Sequence, residues 1–167
     1  GRALKKKFPK VKLFAVEPDE CSALVHAGIG SVLGKKSLKK LVCKHHDIEG
    51  IGDGIIPEII KRNKKMIDGV VEIKSKEAIK ESSRIAKAHG LFVGPSSGAN
   101  FLAAKKLRKK FKHVVTVFAD EGEKYLSERW FVVKERFILV RKWFYSRGDL
   151  VEKFFNPKSI AIVGASR

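Results

Sequence analysis

The chain has 167 residues, 44% of them hydrophobic, and carries 36 Lys and Arg against 18 Asp and Glu, a formal charge of +18. That apolar content suits a packed core rather than wholesale disorder, and apolar runs of at most about six residues exclude a membrane-spanning helix. Two cysteines, Cys21 and Cys43, are too few for a disulfide scaffold and fit a reducing cytoplasm.

In chain order, Ala3, Leu4 and Phe8 share a helical face that Pro9 ends, and residues 11–16 (VKLFAV) alternate as a short strand closed by Glu17-Pro18. Residues 19–28 are predicted helical. Residues 28–46 form a Gly-rich basic loop with a turn near Ser37 to Val42, and residues 47–57 (DIEGIGDGIIP) a glycine loop. A strand is predicted at Val70 to Ile73. A helix follows, capped by Ser75, with Glu77 in its first turn, an Ala78, Ser82, Ile85 and His89 stripe, and Gly90 at its end. Leu91 to Val93 reads as a buried strand that turns through Gly94-Pro95-Ser96-Ser97-Gly98 into a helix carrying Phe101, Leu102 and Leu107. His113 to Ala119 is the next predicted strand, followed by a loop from Asp120 to Lys124. Strand and helix alternate throughout, so the expected fold class is α/β with crossover helices.

Composition changes after Trp130: residues 131–155 hold seven of the fifteen aromatics. The expected division is a main domain part over 1–130, an aromatic-rich linker or helix over 131–153 and a separate first strand over 154–167. The sole methionine is Met66, so Gly1 is not an initiator, and a fragment or processed product is expected. The basic opening lacks the apolar stretch of a secretory leader. Absent Gln and abundant Lys and Glu give a thermophile-like composition.

The charge is spread, about +8 over residues 1–44, +5 over 45–130 and +5 over 131–167. Its lysine runs lack interleaved aromatics, and no nucleic-acid-binding spacing occurs, so no specific nucleic-acid partner is expected. Cys43, His45 and His46 lack the second ligand pair of a zinc site, with only Cys21 and His26 left over, so no metal is expected. Asp120, Glu121 and Glu123 read as a solvated loop.

The strand, GPSSG turn and helix unit presents hydroxyls and free backbone N–H groups to a ligand, or only caps a helix. The GIGDG loop, Gly50 to Gly54, permits close approach to a ligand or makes a turn. Taken in order, VEPDECSAL, HHDIEGIGDGIIP, MIDGVVEIKSKEAI, LFVGPSSGANFLAA and VVTVFADEGEKYLS resemble the C-terminal half of cysteine synthase. That group belongs to the fold-type-II pyridoxal-phosphate enzymes that replace β-substituents. The resemblance covers about residues 1–130. It implies a mainly parallel three-layer sandwich and the cofactor pyridoxal 5'-phosphate, with an activated serine whose β-substituent is replaced by sulfide. It also implies a homodimer for the full-length enzyme. Ser96 would stand on the pyridine nitrogen of the cofactor, Gly50, Ile51 and Gly52 beside the substrate, and Gly122 to Ser127 along the cofactor. A neutral hydroxyl does not hold the pyridine protonated as a carboxylate would, which suits α,β-elimination.

The family's Schiff-base lysine, substrate-carboxylate loop and phosphate cup match nothing in this sequence. No lysine here is assigned that role, and no turnover is expected of the chain alone. Apolar faces that the missing part would cover are expected to be exposed. Glu49 stands where many members have Gln, and Ala119 where many have Pro. The tail, FNPKS followed by IAIVGASR, resembles the opening of the CoA-binding domain of ADP-forming acyl-CoA synthetases, as if the end of one gene were joined to the start of another. The alternatives are a cystathionine β-synthase-like or other β-replacement enzyme, and a non-enzymatic fragment that binds polyanions or CoA.

Overall fold

The computed structural model describes residues 1–34, 41, 43–52 and 54–128. The turn near Ser37 to Val42, the aromatic segment 131–153 and the tail 154–167 lie outside these residues, apart from Leu41. The elements are α1 (Arg2–Lys7), β1 (Phe14–Pro18), α2 (Ala23–His26), α3 (Glu58–Arg62), β2 (Gly69–Ile73), α4 (Ser75–His89) and α5 (Pro95–Leu107). Single 3-10 turns follow α3 at Lys64–Met66 and close the site at Gly122–Tyr125.

β1 and β2 pair in parallel, Phe14 with Gly69 through Pro18 with Ile73. The α/β class with a parallel sheet is therefore as expected. β1 lies two to three residues further along than the alternation suggested, because the register with β2 fixes where the ladder begins. β2 is buried over its whole length, as a parallel strand covered on both faces must be. One core cluster joins Ile48, Val71, Ile73, Ala78, Ala99, Ala103 and Leu107, and a second joins Val25, Ile29 and Val70.

α4 forms where the sequence places it. Ala78, Ser82 and Ile85 are buried, His89 is exposed, and Gly90 ends the helix in the left-handed region at φ 69°. Its N-terminus differs from expectation. Ser75 is the first helical residue rather than the cap, and the free first-turn groups are met from outside by Glu20. The Ser75 amide and hydroxyl donate to Glu20 Oε1 at 3.0 and 2.6 Å. Burial raises the Glu20 carboxyl, but these bonds outweigh it and hold the group below its ordinary value. α4 packs directly on α5 through Gly98, where an added Cβ would lie 2.1 Å from the Ala78 carbonyl oxygen.

Two expected strands are not strands. Among the described residues nothing pairs along 113–119. There the backbone is held by α5 side chains instead: Asn100 Nδ2 donates to the Val117 carbonyl at 2.9 Å, and the Ala119 amide donates to Ser97 Oγ at 3.1 Å. Leu91 to Val93 contributes a single antiparallel bridge, Val93 with Glu121, and Leu91 and Phe92 are exposed. A strand needs a neighbour, which local sequence does not supply. Val115 and Val117 are 93% and 58% exposed, an apolar edge of the kind expected when covering elements are missing. Among the described residues no helix is long and apolar enough to cross a membrane.

Asp68 ties the start of the chain to β2. It accepts from Lys5 Nζ at 2.7 Å, the Leu13 amide at 2.8 Å and Lys12 Nζ at 3.0 Å. Burial raises its carboxyl, yet these bonds and the Lys12 charge outweigh it and hold the group at about 2, against an ordinary 3.8. A depressed acid stabilises fully above its unfolded value and loses that contribution as pH falls through the folded one. Asp68→Asn is expected to cost about 1 kcal/mol near neutrality. It should also flatten the fall in thermal midpoint between about pH 4 and pH 2; an unchanged acid limb would refute the role. Glu17 has the opposite sign. Burial pushes its carboxyl up despite bonds from the Leu24 and Val25 amides, so protonation there favours the fold.

Candidate active site

α5 begins with Pro95 at its first turn, where a missing N–H costs nothing. Ser96 and Ser97 follow, both buried, with no side-chain cap at Gly94. Their hydroxyls face the carboxylate of Asp120, which arrives from the segment held along α5. Ser96 Oγ and Ser97 Oγ each donate to Asp120 Oδ1 at 2.8 Å, and the Tyr125 hydroxyl donates to Oδ2 at 2.5 Å. Burial, then the bond and charge of Asp120, push the Tyr125 phenol well above its ordinary value, so it remains a donor. Gly94 makes the arrangement possible: a Cβ there would lie 2.2 Å from Asp120 Oδ2 and 2.4 Å from Tyr125 Cε2.

Ser96, Asp120 and Tyr125 border a cavity of about 340 Å³ whose other walls are Glu49, Gly50, Ile51, Asn100, Ala119 and Lys124. The glycine loop reaches it through Gly50, at φ 78°, while Ile51 packs against the core cluster. Gly52, at φ 79°, is pressed on the end of β1, where a Cβ would lie 2.2 Å from Pro18 Cδ. The structure thus brings Ser96, Gly50 and Ile51 together on one cavity. Gly52 instead borders a neighbouring space of about 350 Å³ with Cys21, Cys43, Lys44, His45 and His46.

Two expectations require correction. Asp120 is not a solvated loop residue: it accepts three hydroxyl hydrogen bonds, whereas Glu121 and Glu123 are exposed. Its role depends on lying opposite the first turn of α5, and the acidic run alone carried no signal of that. Cys21 and Cys43 are not free thiols but a disulfide, with Cα atoms 4.2 Å apart. Pairing two cysteines so far apart in sequence depends on the intervening loop folding back, which spacing does not reveal. It also removes both sulfurs as thiolate ligands, and among the described residues no group of three or more His, Cys, Asp or Glu is placed to hold a metal.

The cavity combines a buried hydroxyl at a helix N-terminus, that of Ser96, with walls from Ile51, Ala119 and Tyr125. Comparison with known proteins gives the family. Residues 1–120 match the family model described as pyridoxal-phosphate dependent enzyme, and the chain belongs to that family. It is 40% identical over 129 residues to cysteine synthase B of Campylobacter jejuni, covering 76% of this chain and 38% of that protein. It is 33% identical over 130 residues to a cysteine synthase of Staphylococcus aureus, covering 76% and 37%. Among solved structures it resembles the cysteine synthase of Entamoeba histolytica, with TM-score 0.63, 31% identity and coverage of 87% of this chain and 40% of that one. It also resembles the O-acetylserine dependent cystathionine β-synthase of Helicobacter pylori, with TM-score 0.61, 32% identity and coverage of 78% and 38%. The chain therefore spans about two-fifths of the length of these relatives.

Proposed function

We propose that this chain is the C-terminal part of a cysteine synthase-type enzyme, contributing the ring-nitrogen side of the cofactor site and one wall of the substrate site. The observation that carries the reading is the meeting of Ser96, at the start of α5, with Gly50 and Ile51 on one cavity. Bound pyridoxal phosphate supplies an electron sink for the bond broken at the amino acid's α-carbon. Ser96 pairs with the ring nitrogen, and Asp120, itself held by the Tyr125 hydroxyl, fixes its rotamer. Gly50 and Ile51 form the wall beside the activated serine, and Gly52, pinned on Pro18, sets where that wall stands. Sulfide as the incoming nucleophile follows the two bacterial relatives. A cystathionine β-synthase-type reaction is the second reading, favoured by the likeness to the Helicobacter pylori structure, and it uses the same cofactor pocket.

The whole enzyme is read as a cytoplasmic homodimer acting on a small amino acid, with no nucleic-acid or membrane partner. Residues 1–130 form its enzyme part. The 131–153 segment is read as a linker or helix, and the 154–167 tail keeps its reading as the first strand of a CoA-binding-like domain. None of the present lysines takes the Schiff-base role, so turnover by the chain alone is not part of the reading. The test is equilibrium binding of pyridoxal phosphate, followed by absorbance and by quenching of protein fluorescence. Ser96→Ala is expected to weaken binding about tenfold, the equivalent of one buried hydrogen bond of about 1.4 kcal/mol. Equal binding by both forms would remove Ser96 from the site, and no binding by either would overturn the reading.

A further inference from the structure

We propose that the buried carboxyl groups of Glu17 and Glu72 share one proton, which makes the seating of α2 and Ser31 on the β1–β2 ladder a pH-sensitive latch. The inference is independent of the cofactor reading, since neither residue borders the cavity that Ser96 lines.

The register of the sheet brings the two acids together. Glu17 lies near the end of β1 and Glu72 near the end of β2, and the parallel pairing sets them directly opposite each other. Opposite residues of neighbouring strands point to the same face, with backbones about 4.8 Å apart. That face is the one α2 covers, where Val25 and Ile29 pack on Val70. Both acids are 2% exposed. Glu17 accepts from the Leu24 amide at 2.8 Å through Oε2 and from the Val25 amide at 3.2 Å through Oε1. Glu72 accepts from the Ser31 hydroxyl at 2.8 Å through Oε2, while its Oε1 is buried with no hydrogen-bond partner. Among the described residues neither carboxyl forms an ion pair.

Two carboxylates side by side away from water repel each other, and an orphaned buried oxygen adds its own cost. One proton removes both. Held on Glu17 Oε1, the more loosely engaged oxygen, it donates to Glu72 Oε1, and Glu17 still accepts the Leu24 amide through Oε2. Burial, opposed by the two amide bonds and reinforced by the Glu72 charge, pushes the Glu17 carboxyl up. Several charged or titratable groups stand on the surrounding elements. They are His26 on α2, Lys64, whose Nζ donates to the Ala27 carbonyl, and Lys106 of α5, whose Nζ donates to the Glu72 carbonyl at 3.3 Å. These oppose the protonated state when charged. Asp19 and Glu20, in the turn after β1, support it, although Glu20 is turned to Ser75. An acid raised in the fold stabilises fully below its unfolded value and loses that contribution as pH rises through the folded one. Pro18, next to Glu17, is the residue that Gly52 presses on, so release of the latch reaches the glycine loop.

The experiment measures urea unfolding of the chain between about pH 5 and pH 8 for the wild type, Glu72→Gln and Glu17→Gln. Infrared spectroscopy of the same samples looks for the carbonyl band of a buried protonated carboxyl. The wild-type urea midpoint is expected to fall steadily as pH rises. Glu72→Gln keeps an acceptor for Ser31 and donates an amide N–H to Glu17, so its profile should be nearly flat and lie above the wild type at the alkaline end. Glu17→Gln donates to Glu72 in the same way and covers the case in which the first variant fails to fold; its profile should also be flat. The wild type should keep the protonated-carboxyl band at mildly acidic pH, and both variants should lack it. A flat wild-type profile, a wild type without the band, or a slope that survives in every variant that folds overturns the proposal, the last by assigning the titration to another group such as His26.

Discussion

Gly98→Ala is expected to destabilise the chain by roughly 3–4 kcal/mol, a large share of the 5–15 kcal/mol typical of a domain. The added methyl would meet the Ala78 carbonyl oxygen at 2.1 Å and the Ser82 amide nitrogen at 2.9 Å. Both are backbone atoms of α4, so no flexible side chain can swing aside and the helices must separate. Separation loosens Ala78 and Ala99, both fully buried in the same core cluster. Gly90→Ala is the comparison. Nothing lies within 4 Å of its Cβ position, so its cost is only that of the left-handed backbone at φ 69°, about 1 kcal/mol. Urea unfolding followed by far-UV circular dichroism measures both, and equal midpoints for the two variants would refute the close-packing argument.

The second large effect concerns the Cys21–Cys43 disulfide, which closes a loop with a sequence separation of 22. In the chain-entropy picture such a crosslink is worth about 3 kcal/mol, mainly by restricting the unfolded chain. A dithiol reductant is expected to lower the thermal midpoint by several degrees while a thiol titration shows two groups released. The double variant Cys21→Ser with Cys43→Ser should match the reduced protein and ignore the reductant. Release of both thiols with no change in midpoint would show that the bond adds nothing. The consequence reaches the site. A Cβ on Gly54 would lie 3.2 Å from Cys43 Sγ, and Gly52 carries His46 Nε2 on its carbonyl at 3.0 Å. Reduction should therefore raise protease sensitivity between Cys43 and Gly54 before it affects α4 or α5.

What the sequence revealed and what it concealed divide along the reach of the interactions. α4 and β2 were legible because their signals are local: a stripe at helical spacing ended by a glycine, and a short β-branched run after Asp68-Gly69. The helix after the GPSSG turn was legible for the same reason, although α5 takes in all of that turn but Gly94. Gly50, Ile51 and Gly52 were named through the family resemblance, and the first two line the cavity with Ser96. The segments 91–93 and 113–119 look like strands in composition, but pairing decides strands, and the second is bonded to Asn100 and Ser97 instead. β1 was found with its start displaced, because its ladder begins at Phe14, opposite Gly69, and not at Val11. α3 carried readable signals, Pro57 before it, Glu58 in its first turn and Lys61 and Arg62 in its last, but its five residues are too few for a periodic stripe. Asp120 and the disulfide were illegible for one reason: each depends on a distant partner that only the folded chain brings near.

That division also orders the events of folding. The hydroxyl and carboxylate cluster is drawn from residues 94–125, and the helices that frame it, α4 and α5, are joined by a few residues. The β1–β2 ladder must instead close the long excursion from Phe14 to Gly69 before its first bond forms. Contacts near in sequence form early and long loops close late. On a refolding time course the half of the pocket around Ser96 and Asp120 should therefore acquire protection from hydrogen exchange first, and the strand pair that positions the glycine loop should acquire it last.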